Sequence, residues 1–237
     1  MNAIVTAPSR GNCDPVWEDE IYSRGRHLNR YPYDSVVSFV CRHAPRDIPR
    51  GDVRILEVGC GAGNNLAFAA GEGFSVAGID ASPSAIDFAR RRFDDERLAG
   101  DLRVGDFSAL PFDDGSFDLA VDRAALTCVG RSVARRAVAE LHRVLKPGGY
   151  FLFNPYSAAH SSARFGRRGD DGLVHEISGG TLQGVGPICF YTRDDVEELF
   201  SRGWSLASIE HVRIDQMLHA AASSHCEWRV VARRSET

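Results

Sequence analysis

The feature that most constrains this chain is VRILEVGCGAGNN, residues 53–65, where an apolar run ends in three glycines at every second position, Gly59, Gly61 and Gly63. A β-branched run followed by a bare turn and then by NLAFAA reads as a strand, a tight loop and a helix. Glycines at such a turn let main-chain N–H groups come close to a ligand, because no side chain blocks the approach. In open parallel sheets such a ligand sits beyond the carboxyl ends of the strands, where the strand order reverses. The dinucleotide fingerprint G-x-G-x-x-G is not met, since its sixth position is Asn64 and the glycine falls one earlier. Glu57, two residues before the first glycine, would also repel a pyrophosphate. The pattern therefore favours a ligand with a positively charged group at this point.

Along the chain, short apolar segments alternate with segments of helical period. Strands are expected at 53–58, 74–79, 102–104, 117–121 and 150–153. A helix follows the second strand, with Ser82 as its cap, Pro83 at its first position, and Ile86, Ala89 and Phe93 on one face. Another covers about 131–145 and is ended by KPGG. Largely apolar strands alternating with helices describe a parallel sheet covered on both faces. The last third differs. Residues 156–187 are rich in Ser, Gly and Arg with little periodicity, as in a lid-like insertion. Thr192 and Asp195 are then placed to cap a helix, and 209–214 and 228–232 read as an antiparallel pair. Residues 1–45 form an N-terminal cap segment with a helix at 35–42 that covers a sheet edge through Val36, Val37 and Val40, and 46–237 form one domain.

Composition narrows the function classes. A chain of 237 residues, 43% of them hydrophobic, can bury one sizeable core. The net charge of −4 gives no basis for expecting a nucleic-acid partner. Six cysteines occur without a C-x-x-C pair, which reads as a reduced, cytoplasmic protein with no metal site. No apolar run reaches membrane-spanning length, and the first residues do not resemble a signal peptide.

The segment EVGCGAG matches E/D-x-G-x-G-x-G, the first motif of the class I S-adenosylmethionine-dependent methyltransferases, and the chain resembles that family from about residue 53 to 153. The resemblance implies a Rossmann-like, doubly wound α/β fold. Its sheet would be mostly parallel and seven-stranded, with an antiparallel C-terminal hairpin, an N-terminal helical cap and the insertion after the fifth strand. It implies S-adenosylmethionine as cofactor, held by Glu57, Gly59, Gly61 and Gly63. Asp80, with Ala81 after it, matches the acidic residue that bonds the ribose hydroxyls, Asp106 would face the adenine amino group, and Phe107 would lie beside the ring.

The acceptor is expected to be a small molecule methylated at O, N or S. The alternatives are a methyltransferase of protein or RNA, or a non-catalytic module that keeps the cofactor fold. Residues past the strand ends are the candidates around it: Arg123, Asn154, Pro155 and Tyr156, with His160 or His175 in the insertion as a base. NPY bears only a superficial similarity to the N-P-P-Y motif of amino methyltransferases and falls after the fifth strand rather than the fourth. His142, His211, His219 and His225 read as structural. The stretch 17–39 is dense in aromatic residues with arginines between them, so it should pack over the cofactor rather than hang free. Tyr22, Tyr31 and Tyr33 are its candidate rings beside the sulfonium, and Arg26 and Arg30 could pair with the methionine carboxylate. The oligomeric state is left open.

Overall fold

A computed structural model describes residues 14–218 and 223–236; Cys13 and His219 lie outside the described residues. The elements in chain order are α1 (Asp34–His43), β1 (Arg54–Val58), α2 (Asn64–Gly71), β2 (Ser75–Asp80), α3 (Pro83–Asp95), β3 (Asp101–Val104), β4 (Phe117–Arg123), α4 (Arg131–Val144), β5 (Leu145–Asn154), β6 (Arg167–Arg168), β7 (Leu173–His175), β8 (Ile188–Cys189), α5 (Arg193–Leu199), β9 (Trp204–Asp215) and β10 (Ser224–Arg234). A π-helical turn, Trp17–Tyr22, precedes α1.

Seven strands form one sheet in the order β3-β2-β1-β4-β5-β10-β9. The first five are parallel, while β10 runs antiparallel to both β5 and β9. The chain therefore leaves β1 towards β2 and β3 on one side and returns to β4 and β5 on the other. That reversal opens a crevice at the carboxyl ends of β1 and β4.

Alternation along each strand feeds two cores. Leu56, Val58, Ala120, Phe151 and Phe153 face the layer of α4 and α5. Ile55, Leu119, Val121 and Leu152 face α1, α2 and α3. The local signals hold at α3, where the Ser82 side chain accepts from Ala85 N–H at 3.0 Å with Pro83 behind it, and at α5, where Thr192 and Asp195 form a capping box.

Helix α4 ends at Val144, just before KPGG as expected, and β5 begins at once at Leu145, earlier than expected, with Leu145 paired to Phe117 and Lys146 reaching the Asp118 carboxylate at 2.7 Å. Two expectations need correction. The helix before the sheet covers no edge. Helix α1 packs on the face over β4 and β5 and against α2, burying Val36, Phe39 and Val40 at one-turn spacing while Val37 stays half-buried. The insertion is not an irregular loop either. Strands β6, β7 and β8 make a small antiparallel sheet, and Cys128, Val174, Ile177, Leu182, Val185, Ile188 and Phe190 make a third apolar cluster beneath it. The C-terminal hairpin is as expected in kind but longer, with a bulge at Val231 and Ala232.

Among the described residues no helix is long and apolar enough to cross a membrane, no cluster of ligating side chains could hold a metal ion, and all five cysteines are free.

Candidate functional site

The crevice beyond β1 and β4 holds a cavity of about 330 Å³ and an adjoining lobe of about 90 Å³. Trp17, Tyr22, Gly59, Arg123, Ala124 and Cys128 line both. The larger cavity adds Glu57, Gly61, Asn64, Asn65, Tyr33, Tyr156 and His225, and the lobe adds Asp80, Ala81 and Phe107.

The glycine turn between β1 and α2 forms the floor. A Cβ on Gly59, at φ +62°, would lie 2.1 Å from the Ala125 Cβ; on Gly61, at φ +52°, it would lie 2.5 Å from the Tyr22 hydroxyl. Both positions combine a left-handed backbone with close neighbours, and only glycine meets both demands. Gly63 is the cap of α2 and packs on Ala89, outside the lining of the cavity.

Three carboxylates stand at the strand ends. Glu57 is 2% exposed; its Oε1 accepts from the Asn65 amide at 2.6 Å, and its Oε2 is buried with no partner. Burial pushes this carboxyl up to about 8, against the Asn65 hydrogen bond. Asp80 is also pushed up by burial, and the N–H groups of Ser82 and Gly61, each at 2.8 Å, oppose that shift. Asp122 accepts from Ala125 and Leu126 N–H, has an unpartnered Oδ2, and is raised by burial to about 7.

Arg123 ends β4 between both lobes. Its guanidinium pairs with Glu227 at 3.1 Å and lies over the Tyr33 ring at 4.3 Å, while its Nε is buried and unpartnered.

The N-terminal segment closes the top. Glu18 accepts from Ser84 N–H at 3.1 Å and from the Ser84 hydroxyl at 2.6 Å, and it also bonds the Ser82 hydroxyl, so it ties the π-helical turn to the start of α3. Further along, Tyr33 N–H donates to the Asn65 side chain at 3.0 Å, and the Asn64 amide donates to the Tyr31 carbonyl at 2.9 Å. Tyr22 and Trp17 are thereby held in the cleft with their rings 5.9 Å apart.

Sequence candidates divide accordingly. Glu57, Gly59, Gly61, Asp80, Ala81, Phe107, Arg123, Tyr22 and Tyr156 meet in the cleft. Asp106 is engaged with Ser108 N–H at 2.8 Å, next to Phe107 but outside the lining. Arg26, Arg30 and Tyr31 stay outside: Arg26 turns back to the Glu20 carbonyl, Arg30 stands 6.0 Å from the Tyr31 ring, and Tyr31 is 77% exposed. His175 lies in β7 against Gly169 and reaches neither lobe. His160 sits one layer behind Tyr156, with Ser162 N–H donating to its Nδ1 and Thr181 on its Nε2. Burial pushes it down to about 4. With both ring nitrogens engaged, it has no lone pair for an acceptor.

The sequence reading missed His225 as a cavity residue and Glu227 as its partner. Their signal is the strand period: His225, Glu227 and Arg229 share one face of β10. It also missed the cavity wall of Cys128, Thr181, Leu182, Val185 and Ile188.

The site fits S-adenosylmethionine, the cofactor the family resemblance implies. An orphaned buried carboxylate oxygen on Glu57 suits an ammonium group, and a cradle that any Cβ would fill suits close main-chain contact.

A methyltransferase-domain family model matches residues 56–153. The phthiotriol/phenolphthiotriol dimycocerosates methyltransferase of Mycobacterium tuberculosis is 38% identical over 106 residues, covering 44% of this chain and 37% of that one. The fatty-acid O-methyltransferase of Mycolicibacterium smegmatis is 34% identical over 134 residues, covering 55% and 45%. The chain thus spans less than half the length of these curated relatives. The crystal structure of a SAM-dependent methyltransferase from Methanosarcina mazei superposes with a TM-score of 0.69 at 21% identity, over 87% of this chain and all of that one (100%), which shows the same fold. With the motif at the turn, the strand order and these matches together, residues 56–153 are a methyltransferase domain in a chain with the class I, Rossmann-like fold of S-adenosylmethionine-dependent methyltransferases.

Proposed function

We propose that this protein transfers a methyl group from S-adenosylmethionine to a small-molecule acceptor. The observation that carries the reading is the unpartnered Glu57 oxygen beside the bare glycine turn, in a chain with this domain. Glu57 would receive the ammonium of the methionine moiety, Asp80 the ribose hydroxyls, and Phe107 the adenine face, with Asp106 beside it. When bound, S-adenosylmethionine supplies an electrophilic methyl group on a sulfonium. Tyr22 and Trp17 exclude water above it, and a ring near that cation stabilises it by ~0.5–2 kcal/mol.

The remaining volume is the acceptor chamber. Trp17, Cys128, Leu182, Val185 and Ile188 give it an apolar wall, and Tyr156, Thr181 and His225 give it a polar end. The described part of the N-terminal segment, residues 14–33, acts as a cap and 156–187 as a lid over this chamber. A cleft of this size suits a compact acceptor better than a folded protein or RNA. The mycobacterial relatives are named for lipid and fatty-acid methylation, which supports the same reading. Free cysteines and the absence of a membrane-spanning helix among the described residues fit a cytoplasmic location.

Incubating the protein with methyl-labelled S-adenosylmethionine and a cell metabolite extract, followed by mass spectrometry, tests the assignment. A labelled small product is expected. Label confined to protein or RNA would overturn it.

A further inference from the structure

Among the described residues two imidazoles line the larger cavity: His27, which stands edge-on to the Trp17 ring at 5.7 Å, and His225, which bonds a buried carboxylate. His225 lines the cavity, and its Nε2 lies 3.2 Å from Glu227 Oε2. Glu227 is 2% exposed, and its burial is outweighed by His225, Arg123 and Arg229, which hold its carboxyl down at about 2. An ionised carboxylate can only accept, so the proton of neutral His225 lies on Nε2. Its Nδ1 has no hydrogen-bond partner among the described residues and keeps its lone pair.

We infer that His225 is the base that takes the acceptor's proton, with Glu227 as the positioning residue that fixes its tautomer. The inference rests on the methyl-transfer reading. As the acceptor's X–H bond breaks, its electron pair forms the new bond to the methyl carbon. The methyl–sulfur bond breaks with its pair going to sulfur, and the proton passes to His225 Nδ1. The imidazolium so formed lies against the Glu227 carboxylate, which repeats the division of labour between histidine and acid in hydrolytic triads.

The surroundings agree with that role. On β10 itself Glu227 faces the ring, with Arg229 on its other oxygen at 2.9 Å; from β4, Arg123 shares Glu227 Oε2 at 3.1 Å. From the segment after β5, Tyr156 stands edge-on at 5.8 Å and His160 at 5.2 Å. The Tyr156 hydroxyl is pushed up to about 12 by burial, and His160 is held neutral, so neither adds charge beside the ring at neutral pH. Tyr156 remains protonated and can only donate or accept a hydrogen bond, whereas His225 can change its charge.

Two readouts test this on the full chain. Nitrogen-15 nuclear magnetic resonance of the imidazoles, assigned with H225Q, should show Nε2-protonated His225, and E227Q should remove that tautomer preference. A wild-type Nδ1-protonated tautomer would overturn the inference. In single-turnover transfer to the product labelled from the metabolite extract, H225Q should lose ~10²–10⁴-fold, the span of general-base catalysis, with affinity for S-adenosylmethionine within twofold of wild type. E227Q should lose less than H225Q. Equal rates for H225Q and wild type from pH 6 to 9 would overturn the base. Absence of any labelled small product from wild type would instead remove the methyl-transfer reading, and the inference with it.

Discussion

The Tyr22 hydroxyl lies so close over Gly61 that a Cβ at that position would stand 2.5 Å from it. The N-terminal segment therefore touches the glycine turn directly. Gly61→Ala should cost ~1–3 kcal/mol for a left-handed non-glycine residue, and the added contact with Tyr22 should raise that cost. In a Tyr22→Ala background the contact is gone, so the two losses should sum to more than the double variant shows, by ~0.5 kcal/mol or more. Urea denaturation of the four proteins checks this. Strict additivity would mean that Tyr22 does not rest on the turn in solution.

The raised carboxyls predict a pH dependence with a definite sign. Glu57 moves from an ordinary 4.5 to about 8, and Asp122 from 3.8 to about 7, both through burial. The folded state thus holds protons that the unfolded chain has released. Its stability advantage is full below about pH 4, where both unfolded carboxyls are protonated, and is lost as pH rises through 7 to 8. The ligand-free protein should melt at progressively lower temperature between pH 5 and 9, and E57Q should flatten that slope. Binding of an ammonium at Glu57 requires the ionised form, so affinity for S-adenosylmethionine should rise through this window and release protons. Calorimetry in two buffers of different ionisation enthalpy measures the release, which E57Q should diminish.

Much of this arrangement is legible in the chain because it is local. The turn 59–63 announces itself through glycines that no other residue can replace at Gly59 and Gly61, and Ser82, Pro83, Thr192 and Asp195 mark helix starts through bonds made within three residues. The cap was legible as a packed segment but not in detail. Nothing local says that Arg26 turns back to its own backbone while Tyr22 enters the cleft. His225 and Glu227 stayed hidden for a different reason. They reach the site from a strand that enters the sheet last, beside β5, and their partner Arg123 is about a hundred residues away. The small sheet of the insertion was invisible because its strands are two or three residues long, too short for any period.

Glu18 is the fastening of the cap, since its carboxylate takes hydrogen bonds from Ser82 and Ser84 at the start of α3. Hydrogen bonds to a charged group contribute ~1.5–3 kcal/mol each when well formed, so Glu18→Ala should free the segment without unfolding the sheet. Limited proteolysis should then cut between residues 23 and 30 much faster than in wild type. Affinity for S-adenosylhomocysteine should fall by about tenfold. Unchanged proteolysis would show that the aromatic contacts of Trp17 and Tyr22 hold the segment by themselves.

Ile188 tests whether the insertion is a cooperative unit of its own. It is fully buried, yet its neighbours Cys128, Val174, Ile177, Leu182, Val185 and Phe190 form a cluster separate from the two cores that flank the main sheet. Ile188→Ala removes three carbons from that cluster and should cost ~2–5 kcal/mol where the cavity cannot collapse. Because the cluster does not continue into the sheet cores, most of the loss should appear as local opening. Amide hydrogen exchange in 156–190 should accelerate by one to three orders of magnitude, while β1, β2, β4 and β5 keep their protection. Since Ile188 also lines the larger cavity, acceptor turnover should drop with the local opening, and binding at Glu57 and Asp80 should be nearly unaffected. A uniform rise in exchange across both the insertion and the sheet would instead show that the insertion and the main sheet unfold as one body, and that the larger cavity cannot open on the insertion side alone.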